Sequence, residues 1–449
     1  MSASASVIRP GQRVAVVGGG ALGLRLAWHL VAAGARVTVL EAAPALGGLA
    51  SSWSVPTDAE PVTWDRFYHV ILESDQDLRA LLVDVGLDDE VRWTTTQTGY
   101  CAGGRLSPVS TPRDFLALPG LSLLAKARLG ATLARGATVR DWRALERVPV
   151  GDWLTRWSGR ATFEQFWVPL LAAKLGDAWR ETNAAFIWAT IRRLTAARRA
   201  GIGDERFGAV SGGVGRVLAD LAAALEARGV EVRRGARVER ITRTGTGELE
   251  VEADGGATRT CVDHVVLTTT PRAAAGMVAD LDADTAARWA AIRYQGVVCP
   301  SFVLRRPLAP YYLTYLMDDL PFTAIVEMTN LVPPAWLGGH TLVYLPRYVP
   351  ADDPSFEQSD DALQAEFLAG LRRVHAVADE DVVGGRVARA REVFPLPVLG
   401  YSERVPSIAT GVDGVHLVSS AQIVNGTLNL NETVGLADRS SATLLGSTQ

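Results

Sequence analysis

The stretch "WDRFYHVI", Trp64 to Ile71, puts a guanidinium, a phenol and an imidazole close together as Arg66, Tyr68 and His69. An imidazole titrates where protons are exchanged near neutral pH, so His69 is the first candidate for an acid, base or substrate contact. The plain alternative is a structural histidine on a buried loop. In extended chain alternate side chains share a face, which sets Arg66 beside Tyr68 unless the segment turns. Lysine usage adds a fourth candidate. Lysine and arginine together number 45, yet only Lys126 and Lys174 are lysines. Either cation serves at most surface positions, but a compact ammonium whose pKa can fall has no guanidinium substitute. Lys174 stands in "WVPLLAAKLGDAW", an apolar aromatic setting; its plain reading is a helix-end lysine beside Gly176.

The chain before these residues must position them. Residues 14–17 form a short apolar run with β-branched members, as expected of a buried parallel strand. Gly18, Gly20 and Gly23 give G-x-G-x-x-G at the start of a helix that opens with Ala21 and Leu22 and runs to about Ala33, where Gly34 closes it. Gly18 permits the tight turn, Gly20 lets a pyrophosphate approach the backbone, and Gly23 lets helix and strand pack closely. The helix start faces the phosphates with free N–H groups and its positive end. A second strand, residues 36–40, ends in Glu41, placed to accept a hydrogen bond from a ribose 2′-hydroxyl. After the acid come Gly47, Gly48, Leu49 and Ala50, a continuation that a purely NAD-binding unit does not need.

This E-x-x-x-x-x-G-G continuation resembles the signature of flavoproteins with the glutathione-reductase type of FAD domain, especially the amine oxidase and protoporphyrinogen oxidase superfamily. The resemblance covers nearly the whole chain, with its strongest motif in the first fifty residues. It implies FAD, with the Gly47-Gly48 loop running past the pyrophosphate toward the flavin. It also implies that Val238 contacts the adenine through its backbone and that Thr269 and Thr270 lie near the dinucleotide. The last strand, loop and helix would supply flavin-proximal contacts, here Ser420, Thr427, Leu428 and Asn429, the helix start facing the flavin N1 and C2 carbonyl. Where the family usually carries A-G-D or a double glycine, this chain has Ser419-Ser420-Ala421 and Asn425-Gly426-Thr427. No cysteine lies in that final segment, where some relatives attach the cofactor, so the FAD is expected to be non-covalent.

Composition narrows the field further. A net charge of −4 and a pI near 6.0 leave no basic field for nucleic acid. No apolar run reaches the roughly 18 residues of a membrane span. The apolar and basic stretch around Lys126, "LSLLAKARLGATLARGA", leaves peripheral contact with a membrane open, beside its readings as a lid or core helix. Three scattered cysteines without metal-ligand spacing suit a reducing cytoplasm, with no metal site or disulfide framework expected. Ser211 in "GAVSGG" lacks the spacing of a hydrolase nucleophile elbow.

The expected fold is α/β: a Rossmann-like FAD-binding domain, a parallel sheet with a β-ribbon, carrying an inserted α+β substrate domain. The FAD domain takes residues 1–70, 206–292 and 403–449. The substrate domain takes 71–205, mainly helical, and 293–402, strand-rich. Nine of the twelve tryptophans fall between Trp53 and Trp188, as core packing with a few at an apolar substrate pocket. Asn431 is the expected N-cap of the final helix. The expectation is an FAD-dependent oxidoreductase that moves a hydride from a C–N or C–C unit of a small molecule, large and apolar in one version, to flavin N5. Its rivals are a redox-neutral flavoenzyme such as a sugar-nucleotide mutase and a non-catalytic flavin-binding protein. The sequence leaves substrate, acceptor and oligomeric state open.

Overall fold

The computed structural model describes residues 7–58, 60–117, 121–199, 206–424 and 428–446. Its first layer is a five-stranded sheet, in the order Glu231–Arg234, Arg36–Glu41, Arg13–Val17, His264–Leu267 and Val415–Leu417, with every pairing parallel. The Arg13–Val17 strand is central: Val14 stands opposite both Val37 and His264. Both faces of this strand are buried, which explains its unbroken apolar run. Val14 and Val16 point to a helical layer holding Leu24, Leu30, Leu221 and Val434. Ala15 and Val17 point to an antiparallel ribbon, Val238–Arg243, Leu249–Ala253 and Thr258–Val262, with Ile241 and Val251 inside. This is the Rossmann-like arrangement expected, with the ribbon's turns at Gly247 and Asp254.

Three distant stretches are fixed together beneath the first helix, Ala21–Ala32. Arg25, 4% exposed, donates to Asp438 at 2.6 Å and to Asp84 at 2.5 Å, and His29 meets Asp438 at 2.6 Å. These charges hold the C-terminal helix Leu430–Leu444 and the helix Gln76–Asp84 against the first one. The N-cap of the C-terminal helix is Asn429, whose side chain accepts from the Glu432 N–H; Asn431, expected in that role, lies inside the helix. Asn431 instead accepts the Leu78 N–H at 3.0 Å, tying the helix to its neighbour. Both asparagines precede the apolar stretch, and the extended backbone of Asn429, directly before the first helical residue Leu430, decides between them.

An inserted α+β domain completes the fold, around an eight-stranded sheet. Its longest strands, Tyr294–Leu304 and Val382–Pro395, pair antiparallel. The hairpin Thr98–Ala102 and Arg105–Pro108 joins the same sheet by parallel pairing with Leu313–Leu316. The earlier insertion, read as mainly helical, therefore also supplies strands to the later one. Its helices include Leu123–Thr138, Val150–Ser158, Val168–Leu175 and Ala184–Arg199. Trp153, Trp167 and Trp188 pack among them with Leu154, Leu171 and Ile191, so these tryptophans are core residues.

A buried histidine pair sits between two strands of the parallel sheet. His264 Nδ1 and His416 Nε2 are 3.2 Å apart with the rings stacked. Burial, then the neighbouring His264, pushes His416 down to about 4. Because the unfolded chain takes up this proton near pH 6.5, the contribution is intact above that value and is lost as pH falls toward 4. The wild type should lose on the order of 2 kcal/mol between pH 7 and pH 5 from this group. Urea unfolding at the two pH values should show a clearly shallower loss in His416→Gln; equal slopes would remove the pair from the account.

Candidate functional site

The glycine-rich turn is built by contacts that differ from one glycine to the next. Gly18 sits at φ +113°, and a Cβ on it would meet Thr268 Oγ1 at 2.5 Å. A Cβ on Gly23 would stand 1.9 Å from the Gly18 carbonyl oxygen. Gly20 is the exception: a Cβ there meets nothing within 4 Å. Gly20 is also the N-cap of Ala21–Ala32 and has no side chain to accept from its first turn. The C-terminal helix, by contrast, is capped by Asn429. The first helix thus presents N–H groups, including those at Ala21 and Leu22, beside open space, which is the shape a pyrophosphate requires.

The second glycine pair folds back onto this turn. The Gly47 N–H donates to the Gly19 carbonyl at 2.8 Å, and Gly20 and Gly47 form a parallel bridge. Gly47 and Gly48 both have positive φ, followed by the short turn Gly48–Ala50 that carries Leu49. The Glu41 carboxylate accepts the Gly19 N–H and the Ala43 N–H, each at 2.7 Å. It therefore shapes the phosphate turn as well as standing where a ribose is expected. Next to it the ribbon begins: Ala236 N–H donates to the Glu41 carbonyl, and Val238 is buried two residues on.

Thr268, which sequence reasoning passed over, closes the glycine-rich turn from the neighbouring strand. Its hydroxyl reaches the carbonyls of Val17 and Gly18 at 2.9 and 3.3 Å. Thr269 turns to the Thr270 carbonyl, and Thr270 donates to Glu392 at 2.6 Å across the domain boundary. Ser420 and Leu428 are described, and Ser420 begins a short turn that follows Ser419; Thr427 lies outside the described residues.

The structure separates the four chemical candidates into two groups and a remainder. Residues 66 and 67 bend, so Arg66 and Tyr68 do not share a side. Arg66 lies over the Trp53 ring at 5.4 Å, and burial lowers its pKa. Tyr68 goes the other way, its hydroxyl 2.9 Å from that of Tyr348. Lys174 reaches the same residue: Nζ lies 3.8 Å from the centre of the Tyr348 ring and 5.1 Å from that of Phe394. Lys174 and Tyr68, from distant segments, therefore meet at Tyr348. Burial first, then Tyr348, raises the Tyr68 phenol well above its ordinary range, so it keeps its proton at neutral pH.

His69 belongs to the other group. Its Nδ1 is buried without a hydrogen-bond partner and stands 3.8 Å from Asp65 Oδ2. Asp65 is 2% exposed and accepts the N–H groups of Val214 and Gly215 at 3.0 and 2.8 Å. It occupies the start of the helix Gly213–Ala227, and its burial raises its pKa against the opposing pull of His69. Among the described residues no hydrogen bond, ion pair or ring contact joins His69 to Tyr68 or Lys174. Asp65 and Tyr348 were both missed in the sequence, since their partners lie far away in the chain.

The sequence profile described as "Flavin containing amine oxidoreductase" matches residues 23–428. The chain belongs to that family. A flavin is accordingly its cofactor, and the open space at Gly20 with the uncapped helix start fits the phosphate end of such a group. Among curated proteins, the chain is 36% identical over 130 residues to a carotenoid phi-ring synthase of Streptomyces griseus, covering 28% of this chain and 24% of that protein. It is 28% identical over 208 residues to a zeta-carotene desaturase of Synechocystis sp., covering 41% and 42%. The chain spans less than half the length of these relatives. Among solved structures, reduced UDP-galactopyranose mutase superposes with a TM-score of 0.75 at 15% identity, over 98% of this chain and 96% of that one. Putrescine oxidase bound to putrescine gives 0.70 at 18% identity, over 98% and 100%. These likenesses establish the fold.

The glycines make separable predictions. Gly20→Val should fold as wild type but lose flavin, because its side chain enters the space beside the helix start. Gly23→Ala should lose about 1–3 kcal/mol of stability through its clash with the Gly18 carbonyl. Glu41→Ala should weaken flavin retention by about 1.5–3 kcal/mol. Urea midpoints and flavin-to-protein ratios read these effects, and a wild-type ratio in Gly20→Val would contradict the placement of the phosphates.

Proposed function

We propose that the chain binds FAD without a covalent link and removes a hydride equivalent from a C–N or C–C unit of a small-molecule substrate. The observation that carries this reading is the meeting of Lys174 and Tyr68 at Tyr348. It brings a cation and two hydroxyls from three distant segments together in an aromatic, half-buried setting, and Tyr68 follows the Gly47-Gly48 loop closely in the chain.

Bound FAD supplies the two-electron acceptor. The glycine-rich turn and the start of Ala21–Ala32 hold the pyrophosphate. Glu41 would hold the ribose and the backbone of Val238 the adenine. Thr269, Thr270, Ser420, Leu428 and Asn429, with Gly48, Leu49 and Ala50, would hold the flavin end. Tyr68 and Tyr348 orient a polar group of the substrate through their paired hydroxyls, and the Tyr68 phenol remains a donor because burial keeps it protonated. The Lys174 ammonium, held on the Tyr348 and Phe394 rings, fixes the charge beside that group. As the hydride leaves, His69 would take at Nε2 the proton that the substrate's nitrogen or neighbouring carbon gives up, while Nδ1 faces the anchored Asp65. Arg66, stacked on Trp53, positions the same loop rather than meeting the substrate. Likeness to a zeta-carotene desaturase supports an apolar substrate losing hydrogen from a C–C unit.

Acid or heat denaturation should release all flavin into the supernatant. Anaerobic mixing of the holoprotein with amines, apolar polyenes and sugar nucleotides should bleach the flavin with one of the first two classes. Turnover of a sugar nucleotide without net reduction would point to a redox-neutral mutase instead. With the true substrate, Tyr348→Phe, Lys174→Met and His69→Ala should each retain flavin, while the reduction rate falls roughly a hundredfold where proton transfer is lost. A near-normal rate in all three would reduce both groups to packing.

A further inference from the structure

The helix Leu123–Thr138 is the least conventional surface of the molecule. Its inner side is closed by Leu129, Thr132 and Gly136, the last pressed against Ile191. On the outer side Leu123 and Leu124 are 77% and 63% exposed, two of the few large apolar side chains so displayed. Ala127, Gly130, Ala131 and Ala134 continue the exposed side along the helix. A water-facing helix normally carries charges of both signs there. This one has no aspartate or glutamate at all, and its exposed charges are Arg128 and Arg135.

The neighbouring helices extend the pattern. Arg135 and Arg156 both lie over the Trp157 ring, at 5.3 and 6.0 Å, and Arg143 lies over Trp142 at 5.0 Å. Among the described residues none of Arg128, Arg135, Arg143 and Arg156 forms an ion pair with a carboxylate. Elsewhere the protein pairs its arginines readily, as Arg160 with Glu164 and Arg347 with Glu366 show. Unpaired guanidiniums beside half-buried indoles and bare leucines match the layers of an anionic bilayer, whose headgroups attract the cations and whose acyl boundary accepts leucine and tryptophan. A protein partner of equal apolarity would leave these cations facing an unspecified surface, whereas lipid phosphates supply their counter-charge.

We propose that Leu123 and Leu124, with Arg128, Arg135, Arg143 and Arg156, dock the protein on the surface of an anionic lipid bilayer without crossing it. This rests on surface chemistry and is independent of the reaction proposed above. Holoprotein should co-sediment with vesicles of phosphatidylcholine containing phosphatidylglycerol, far less with phosphatidylcholine alone, and less again as salt is raised. The double variant Leu123→Ser/Leu124→Ser should keep its flavin, thermal midpoint and anaerobic reduction by a soluble substrate, yet bind vesicles about tenfold more weakly or less. Arg135→Gln/Arg156→Gln should lose the preference for anionic lipid, while Val83→Ser, another exposed apolar position, should bind as wild type. Wild type that stays in the supernatant at low salt overturns the proposal. So does unchanged binding in the leucine variant, or a wild-type dimer in light scattering that the leucine variant converts to monomer.

Discussion

The hydrogen bond from the Gly47 N–H to the Gly19 carbonyl is the contact on which the site depends. It turns two glycine loops, separated by a helix and a strand, into one surface. Two conditions permit it. Gly47 must adopt a positive φ, which glycine does at little cost. Glu41 must hold the N–H of the same residue, Gly19. With the turn pinned from both directions, Gly20 can face outward with free space before it, and the chain leaving Ala50 is already aimed at the strand pair Ser52–Val55 and Val62–Asp65. Residues 65–69, with Asp65, Arg66, Tyr68 and His69, begin where that hairpin ends.

What was legible in the sequence was whatever the chain encodes locally. The spacing of Gly18, Gly20 and Gly23, the acid at Glu41 and the pair Gly47-Gly48 each constrain backbone within a few residues, so type and spacing were enough. Lys174 was a different kind of signal: scarcity, in a chain that otherwise chose arginine, and it proved to sit on the ring of Tyr348.

The remainder was hidden because it consists of pairings between distant positions. Tyr348 is one tyrosine among nine, and nothing near it in sequence announces Tyr68 or Lys174. Asp65 was overlooked inside a quoted motif, since its partners are backbone amides at Val214 and Gly215. Thr268 was passed over for Thr269 and Thr270 because three adjacent threonines look alike until the strand's direction assigns their faces. Asn431 lost the cap to Asn429 for a similar reason: the two are equal in chemistry and differ only in where the extended chain gives way to helix.

The Asp65 clamp bears on how the chain comes to be folded. Its carboxylate waits for amides about 150 positions later, and the central sheet is assembled from strands near the beginning, middle and end of the chain. On a ribosome the first strand–helix–strand unit emerges early, with Glu41 and both glycine loops, but its sheet stays open on one side until His264–Leu267 appears and is complete only with Val415–Leu417. Such interleaved order makes folding slow and exposes apolar strand edges during synthesis. Ala21–Ala32 gains its partner Leu430–Leu444, and Arg25 and His29 gain Asp438, only after that helix has left the ribosome, so the helical layer over the sheet closes late in synthesis.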